Sequence, residues 1–373
     1  MRRSPSGRQP SSSRARVLAV ALLAALGGCR DSSTPIVIGA AGPWKESYGL
    51  ANRRGVELAV QQINAAGGID GRPLEVEYRD DEGDGATAAR VASEFVSDSR
   101  ITAVVGHVNS GAMVAAAKVY DGALPAVATT ATAPELSGIS PWAFRVITSD
   151  SATGVALARF AGGLGRRRAA ILYENDPYGR GLADAFRRAF GGEVISIDPI
   201  DAEAGDFEPY VTWYRARRPD VVFVAGTEVS GLALLREARR QGLATDFLGG
   251  DGWTGVTLDT AASEGVYIAA PFTSADPRQE VQRFVQAFRA KYGTDPDGNA
   301  ALAYDATRLV AQALEAAGDD RAAVREYLAT LSQRNGYPGV TGPIRFDENG
   351  DLVGRGALMT RVERGDLVPS RTN

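Results

Sequence analysis

The chain has 373 residues, of which 44% are hydrophobic, with a formal net charge of −4. So mildly acidic a protein is poorly suited to nucleic acid, whose phosphates need a basic surface. One histidine and one cysteine exclude zinc and iron sites of the usual ligand types and leave no partner for a disulfide, so neither metal nor cofactor is expected. The length fits about two domains.

The N-terminus carries Arg2, Arg3, Arg8, Arg14 and Arg16 with no acid, then the apolar run Val17 to Leu26, then Gly27-Gly28-Cys29. Basic, then apolar, then small residues is the order of an export signal. The apolar run has ten residues, against about 20 for a spanning helix. Arg2-Arg3 lies too far from that run to serve as a twin-arginine signal. Leu26 to Cys29 resembles a bacterial lipobox. The resemblance implies removal of residues 1–28 as a signal peptide and lipidation of Cys29. The mature protein is then expected in the periplasm or at the cell surface, bound to membrane through its lipid alone.

Beyond the leader, short apolar runs alternate with amphipathic stretches. Pro35 to Gly39 reads as a strand. Gly49 to Ala66 reads as a helix, because Val56, Ala59, Val60 and Ile63 recur at helical spacing, and Gly67-Gly68 ends it. Strand Leu74 to Tyr78, a helix capped by Asp84 and running to Ser99, strand Ile101 to Val105, helix Ser110 to Tyr120 and strand Leu124 to Ala128 follow.

The rhythm restarts after a strand at Phe144 to Ile147. Helices are predicted at Ala152 to Gly163, Gly179 to Phe190, Phe207 to Arg217 and Gly231 to Gln241. They alternate with strands Ala169 to Tyr173, Val194 to Ile200, Val221 to Ala225 and Val266 to Ala270. Three helices come next: Gln279 to Tyr292, Asn299 to Ala316 and Arg321 to Leu331. A closing hairpin of Ile344 to Phe346 and Leu352 to Val362 is expected to turn at Asn349-Gly350. Such alternation predicts an α/β fold with parallel sheets flanked by helices, in two lobes with a cleft between them. Ligands of such sheets bind beyond the carboxyl ends of the strands, in the loops.

Several of those loops are specific in sequence: Val105 to Ser110, Ala128 to Leu136, Ile171 to Gly181, and the Ile63-Asn64-Ala65-Ala66-Gly67-Gly68-Ile69 turn. Together with the Gly39 to Gly49 loop they resemble the leucine/isoleucine/valine-binding protein family. Those are type I periplasmic binding proteins that deliver ligand to an ABC importer. The resemblance covers essentially the whole mature chain. It implies a two-lobed type I fold, residues 29–149 and 272–347 forming the first lobe and 150–271 and 348–373 the second. Hinges are expected near Ile147 to Asp150, Pro271 to Ser274 and Phe346 to Gly350.

The same resemblance implies a ligand site. Ser110 takes the position of a serine that holds the ligand carboxylate, at a helix start where the dipole helps. Thr132 matches a threonine that engages both ends of a bound amino acid, and Thr130 a position that uses its backbone. Tyr178 matches a tyrosine that closes over the ligand. Tyr48 matches a side-chain pocket residue, with Trp44 nearby. Asp251 falls where the family commonly has a glutamate that pairs with the ligand ammonium. Neutral donors for a carboxylate and one acid for an ammonium suit a zwitterion. Three departures bear on selectivity: Asp251 is one methylene shorter, Thr227 replaces a tyrosine of some leucine-binding members, and Gly83 and Asn109 stand where the family has a disulfide.

Plainer readings compete at each position. Ser110 and Thr132 could be helix caps, Tyr178 and Asp251 turn residues, and Trp44 a core residue. His107, three residues before Ser110, lacks the Gly-x-Ser-x-Gly elbow of a hydrolase, so no enzyme is expected. Asp80 to Gly85 begins like a calcium loop, but its twelfth position is Val91 and not an acid. The expectation is thus a monomeric solute-binding protein for a neutral or branched-chain amino acid, working with ABC permease subunits. The alternatives are a ligand sensor of the same fold or a binder of amide- or urea-type solutes.

Overall fold

The computed structural model describes residues 1, 2, 4, 34–201 and 205–370. Apart from residues 1, 2 and 4, the expected export segment lies outside the described residues, as does Cys29. Two sheets organise the rest. The first runs β1 (Ile36–Gly42), β2 (Leu74–Asp80), β3 (Ile101–Val105), β4 (Ala126–Ala128) and β5 (Ala143–Arg145), ordered β2-β1-β3-β4-β5 and parallel throughout. Its connections are helices α1 (Ser47–Ala65), α2 (Gly85–Ser97) and α3 (Ser110–Tyr120).

The chain then crosses to α4 (Asp150–Gly163), β6 (Arg168–Glu174), α5 (Pro177–Ala189), β7 (Glu193–Ile200), α6 (Glu208–Arg217), β8 (Val221–Ala225), α7 (Glu228–Arg240), β9 (Asp246–Gly249) and β10 (Tyr267–Ala270). These strands form the parallel part of the second sheet. Helices α8 (Gln279–Tyr292), α9 (Gly298–Ala317) and α10 (Arg321–Ala329) return to the first lobe, followed by the small ribbon β11 (Tyr337–Gly339) and β12 (Gly342–Ile344). Finally β13 (Leu358–Glu363) and β14 (Asp366–Pro369) add antiparallel to β10, giving the order β14-β13-β10-β9-β8-β6-β7.

Central strands are covered on both faces, which is why β3 and β8 read as unbroken apolar runs with every residue buried. One core of the first lobe joins Ile38, Val105, Phe144, Leu309 and Phe346, with Phe144 and Phe346 ring centroids 5.1 Å apart. The second lobe has its own cores, one around Val224 and Trp253, the other around Phe186 and Phe223. Aspartates cap several of the helices: Asp84 accepts from Thr87 N–H at 2.8 Å, Asp176 from Gly179 N–H at 2.7 Å and Asp297 from Ala300 N–H at 2.9 Å.

The predicted closing hairpin is built differently. Phe346 and Leu352 do bridge antiparallel around Gly350, whose φ is +78°. That contact is a single bridge, and Leu352 still belongs to the first-lobe core. The real hairpin is β13–β14, turning through Arg364 (φ +53°) and Gly365 (φ +88°). Leu352 to Val362 therefore splits in two, because the chain changes lobes inside it. Arg355 sits in that crossing and donates to the Val146 carbonyl at 2.9 Å and to the Thr341 carbonyl, tying the third crossing to the first. Strand β9 and the helical turns Asp251–Leu258 and Thr260–Ser263 were not expected; their short, Gly- and Asp-rich sequences lack a clear period.

Candidate functional site

A cleft lies between the lobes, beyond the carboxyl ends of β3, β4, β6, β8 and β9, as the topology of open α/β sheets requires. Tyr48, Val108, Asn109, Ser110, Thr130 and Asn299 line it from the first lobe. Asp176, Tyr178, Thr227, Asp251 and Gly252 face them from the second. The space between has an empty volume of about 480 Å³, part of it open to solvent.

Ser110 opens α3, and its Oγ accepts from the N–H groups of Thr132 and Ala133, both at 3.1 Å. With the oxygen so occupied, the hydroxyl proton is left to donate. The Thr130 hydroxyl is spent, donating to the Val108 carbonyl at 3.0 Å, so a ligand contact there falls to the backbone. Arg145, 2% exposed, fixes the loop between them by donating to the carbonyls of Thr132 (2.9 Å) and Ala133 (2.8 Å). Tyr48 accepts from the Asn109 amide at 3.0 Å, and burial pushes its phenol up to about 12.

Across the cleft, the Tyr178 hydroxyl accepts from Gly252 N–H at 3.1 Å and donates to Asp251 Oδ1 at 3.4 Å. Burial pushes the Asp251 carboxyl up to about 7. Asp150, at the start of α4, is fully buried, with the Thr132 side chain against its carboxyl. Burial, reinforced by the charge of Asp251, holds its carboxyl well above the ordinary range. The second lobe thus presents buried acid, with no cation of that lobe among the described residues set against Asp251.

Six of the eight sequence-selected positions line this cleft: Tyr48, Ser110, Thr130, Tyr178, Thr227 and Asp251. Two do not. Trp44 packs edge-on against Tyr78, with ring centroids 6.0 Å apart, at the rim of the first-lobe core. Thr132 supplies its N–H to Ser110 while its buried side chain lies against the Asp150 carboxyl. Asn109, Val108, Asp176 and Asn299 were not selected for the site from sequence. Asp176 and Asn299 each stand at a helix start, a position at which polar residues are common, so sequence carried no separate signal for them.

His107 is no base for Ser110. Its Nδ1 lies 2.6 Å from Asp81 Oδ2 and its Nε2 2.9 Å from the Tyr120 hydroxyl, with all three residues fully buried. Asp81 also accepts from Gly83 N–H at 2.9 Å, and Asp84 caps α2, so these acids of the calcium-like run hold backbone. Gly83 and Asn109, the two positions at which the resemblance implied a disulfide, do lie side by side: a Cβ on Gly83 would stand 3.3 Å from Asn109 Oδ1.

Two α/β lobes around a cleft with donors on one wall and buried acid on the other define a solute-binding protein of the type I periplasmic class. The sequence profile of the periplasmic binding proteins matches residues 35–366, and the chain belongs to that family. It is 31% identical over 351 residues to an "Amino acid binding protein" of Pseudomonas aeruginosa, covering 90% of this chain and 92% of that one. The leucine-, isoleucine-, valine-, threonine- and alanine-binding protein of the same organism is also 31% identical, with the same coverage. Among solved structures, the branched-chain amino acid transporter substrate binding protein LivJ from Streptococcus pneumoniae, in complex with isoleucine, superposes with a TM-score of 0.84 at 30% identity, covering 90% of this chain and 98% of that one. Members of the family are binding proteins for transporters and not enzymes.

Proposed function

We propose that this protein captures an α-amino acid as a zwitterion between its lobes and passes it to an ABC permease. The observation that carries this is the opposition of Ser110, whose hydroxyl is left only to donate, and Asp251, a buried acid beside Tyr178. A carboxylate fits the first end, together with the backbone at Thr130 and the N-terminus of α3, and an ammonium the second. The names of the relatives support an uncharged side chain, one of them being named for leucine, isoleucine, valine, threonine and alanine together. Residues 34–149 and 272–352 would move as one lobe and 150–271 and 358–370 as the other, the ligand favouring the closed state through contacts with both. Cys29, lipidated after export, would tether the mature protein to a membrane as a monomer.

The test is a thermal-shift screen of protein that has been unfolded, freed of carried ligand and refolded. Any ligand that binds only the folded state raises the melting temperature. A shift with at least one amino acid, lost in Asp251→Ala, supports the zwitterion site. Shifts confined to carboxylic acids without an ammonium would sink it.

A further inference from the structure

The wall of the cleft away from Ser110 is polar to a degree that an aliphatic ligand tail does not explain. Val108 is the one aliphatic side chain among the described lining residues, and no Lys or Arg is among them. The polar groups there are mostly committed in one direction. Thr227 gives both its N–H and its hydroxyl proton to Glu174 Oε1, each at 2.8 Å, leaving lone pairs for the cleft. Glu174 Oε1 also takes the Ser230 hydroxyl at 2.7 Å, so Thr227 cannot turn away without breaking a buried cluster. Asn299 donates from Nδ2 to Asp297 at 3.1 Å and, among the described residues, makes no hydrogen bond through its side-chain oxygen. Asp176 accepts one helix N–H through Oδ1; its second oxygen has no hydrogen bond among the described residues.

We infer that the ligand is an amino acid whose side chain carries a hydrogen-bond donor, a hydroxyl, carboxamide or amino group, received by Thr227, Asn299 and Asp176. This rests on the zwitterion reading and narrows its substrate class. Closing the cleft over a leucine or valine tail strips water from these acceptors and returns nothing, and unpaired buried polar groups are the strongest source of discrimination a site has. With Asp251 given to the ligand ammonium, an acidic tail is refused by Asp176, since no Lys or Arg lies among the described lining residues.

The experiment is calorimetric titration of the refolded, ligand-free protein with L-serine, L-threonine, L-glutamine and L-lysine against L-leucine, L-valine and L-glutamate. The tightest binder is expected among the first four, at least tenfold tighter than leucine or valine. In the Thr227→Val/Asn299→Leu double variant, leucine should overtake it; the single Thr227→Val variant, which should narrow the gap, covers the case in which the double variant fails to fold. Leucine or valine binding as tightly as the best donor-bearing amino acid overturns this inference and leaves the zwitterion site standing. Binding of none of the seven, with binding of benzoate or another ammonium-free acid, overturns the zwitterion reading itself.

Discussion

The Ser47 hydroxyl, at the start of α1 in the first lobe, donates to the Glu228 carboxylate, at the start of α7 in the second. Two helix N-termini thus meet across the cleft mouth over one acid. Helix α1 has no acid in its own first turn and no side-chain cap, so Glu228 supplies from the other lobe the negative charge its dipole favours. Gly255 leaves room for it: a Cβ there would fall 1.3 Å from Glu228 Oε2.

Removing this contact should loosen the closed state more than the fold. Ser47→Ala leaves Glu228 buried without its hydrogen bond, a cost of about 1–2 kcal/mol. The dissociation constant of the amino acid found in the thermal screen should rise roughly five- to thirtyfold, with the melting temperature of ligand-free protein little changed. Calorimetry and small-angle scattering, which reports the population of closed molecules, check both halves.

Glu228 also sets a pH response. Burial raises its carboxyl above the ordinary 4.5, and Asp297 and Glu46 add to the shift. The closed form therefore binds the proton more tightly than an open form in which Glu228 meets water. Closure is helped at low pH and penalised as pH rises from about 4.5 upward. Scattering of ligand-free protein across that range should show more closed molecules on acidification, and Glu228→Gln should abolish the trend.

Asp251 acts in the opposite sense on ligand. Its carboxyl is raised from 3.8 to about 7, so ligand-free protein loses stability as pH climbs through that interval. Pairing with an ammonium needs the ionised form. Affinity should therefore weaken below about pH 7, by up to about tenfold per unit. Titrations in buffers of different ionisation enthalpy should reveal proton release at pH 6, and none in Asp251→Asn, which should also bind weakly at every pH.

Ser110→Ala should damage both binding and fold. Two buried N–H groups, of Thr132 and Ala133, lose their acceptor, at about 1–3 kcal/mol, and the ligand loses a donor. A lower melting temperature with affinity reduced about a hundredfold is expected; Ser110→Thr, which keeps the hydroxyl, should recover part of each.

His107→Ala separates structure from chemistry in the neighbouring loop. It strands the buried Asp81 and Tyr120 at about 2–4 kcal/mol. Denaturant unfolding should register that loss, while ligand selectivity, measured as the ratio of two dissociation constants, stays as in the parent.

Regular elements were legible because burial imposes a period. Val56, Ala59, Val60 and Ile63 announced α1, and the unbroken apolar runs announced β3 and β8. Loop chemistry was legible where a resemblance supplied the site, hence Ser110, Tyr178 and Asp251. Trp44 misled because an aromatic beside a ligand loop packs equally well on Tyr78. Asn299 was hidden because it stands at a helix start, where polar residues are common, and the second-lobe residues that line the cleft with it are distant in sequence, which no local pattern reports. The crossing after Leu352 was hidden for the same reason, since an alternating pattern is blind to a change of sheet.

The β13–β14 hairpin covers β10, which would otherwise present an open row of backbone donors and acceptors to solvent. The second lobe therefore remains a sheet with a sticky margin until Leu358 to Pro369 have been made and have travelled back to it. During synthesis, the long interval between β10 and β13 leaves that margin open to pairing with the strand of a neighbouring chain.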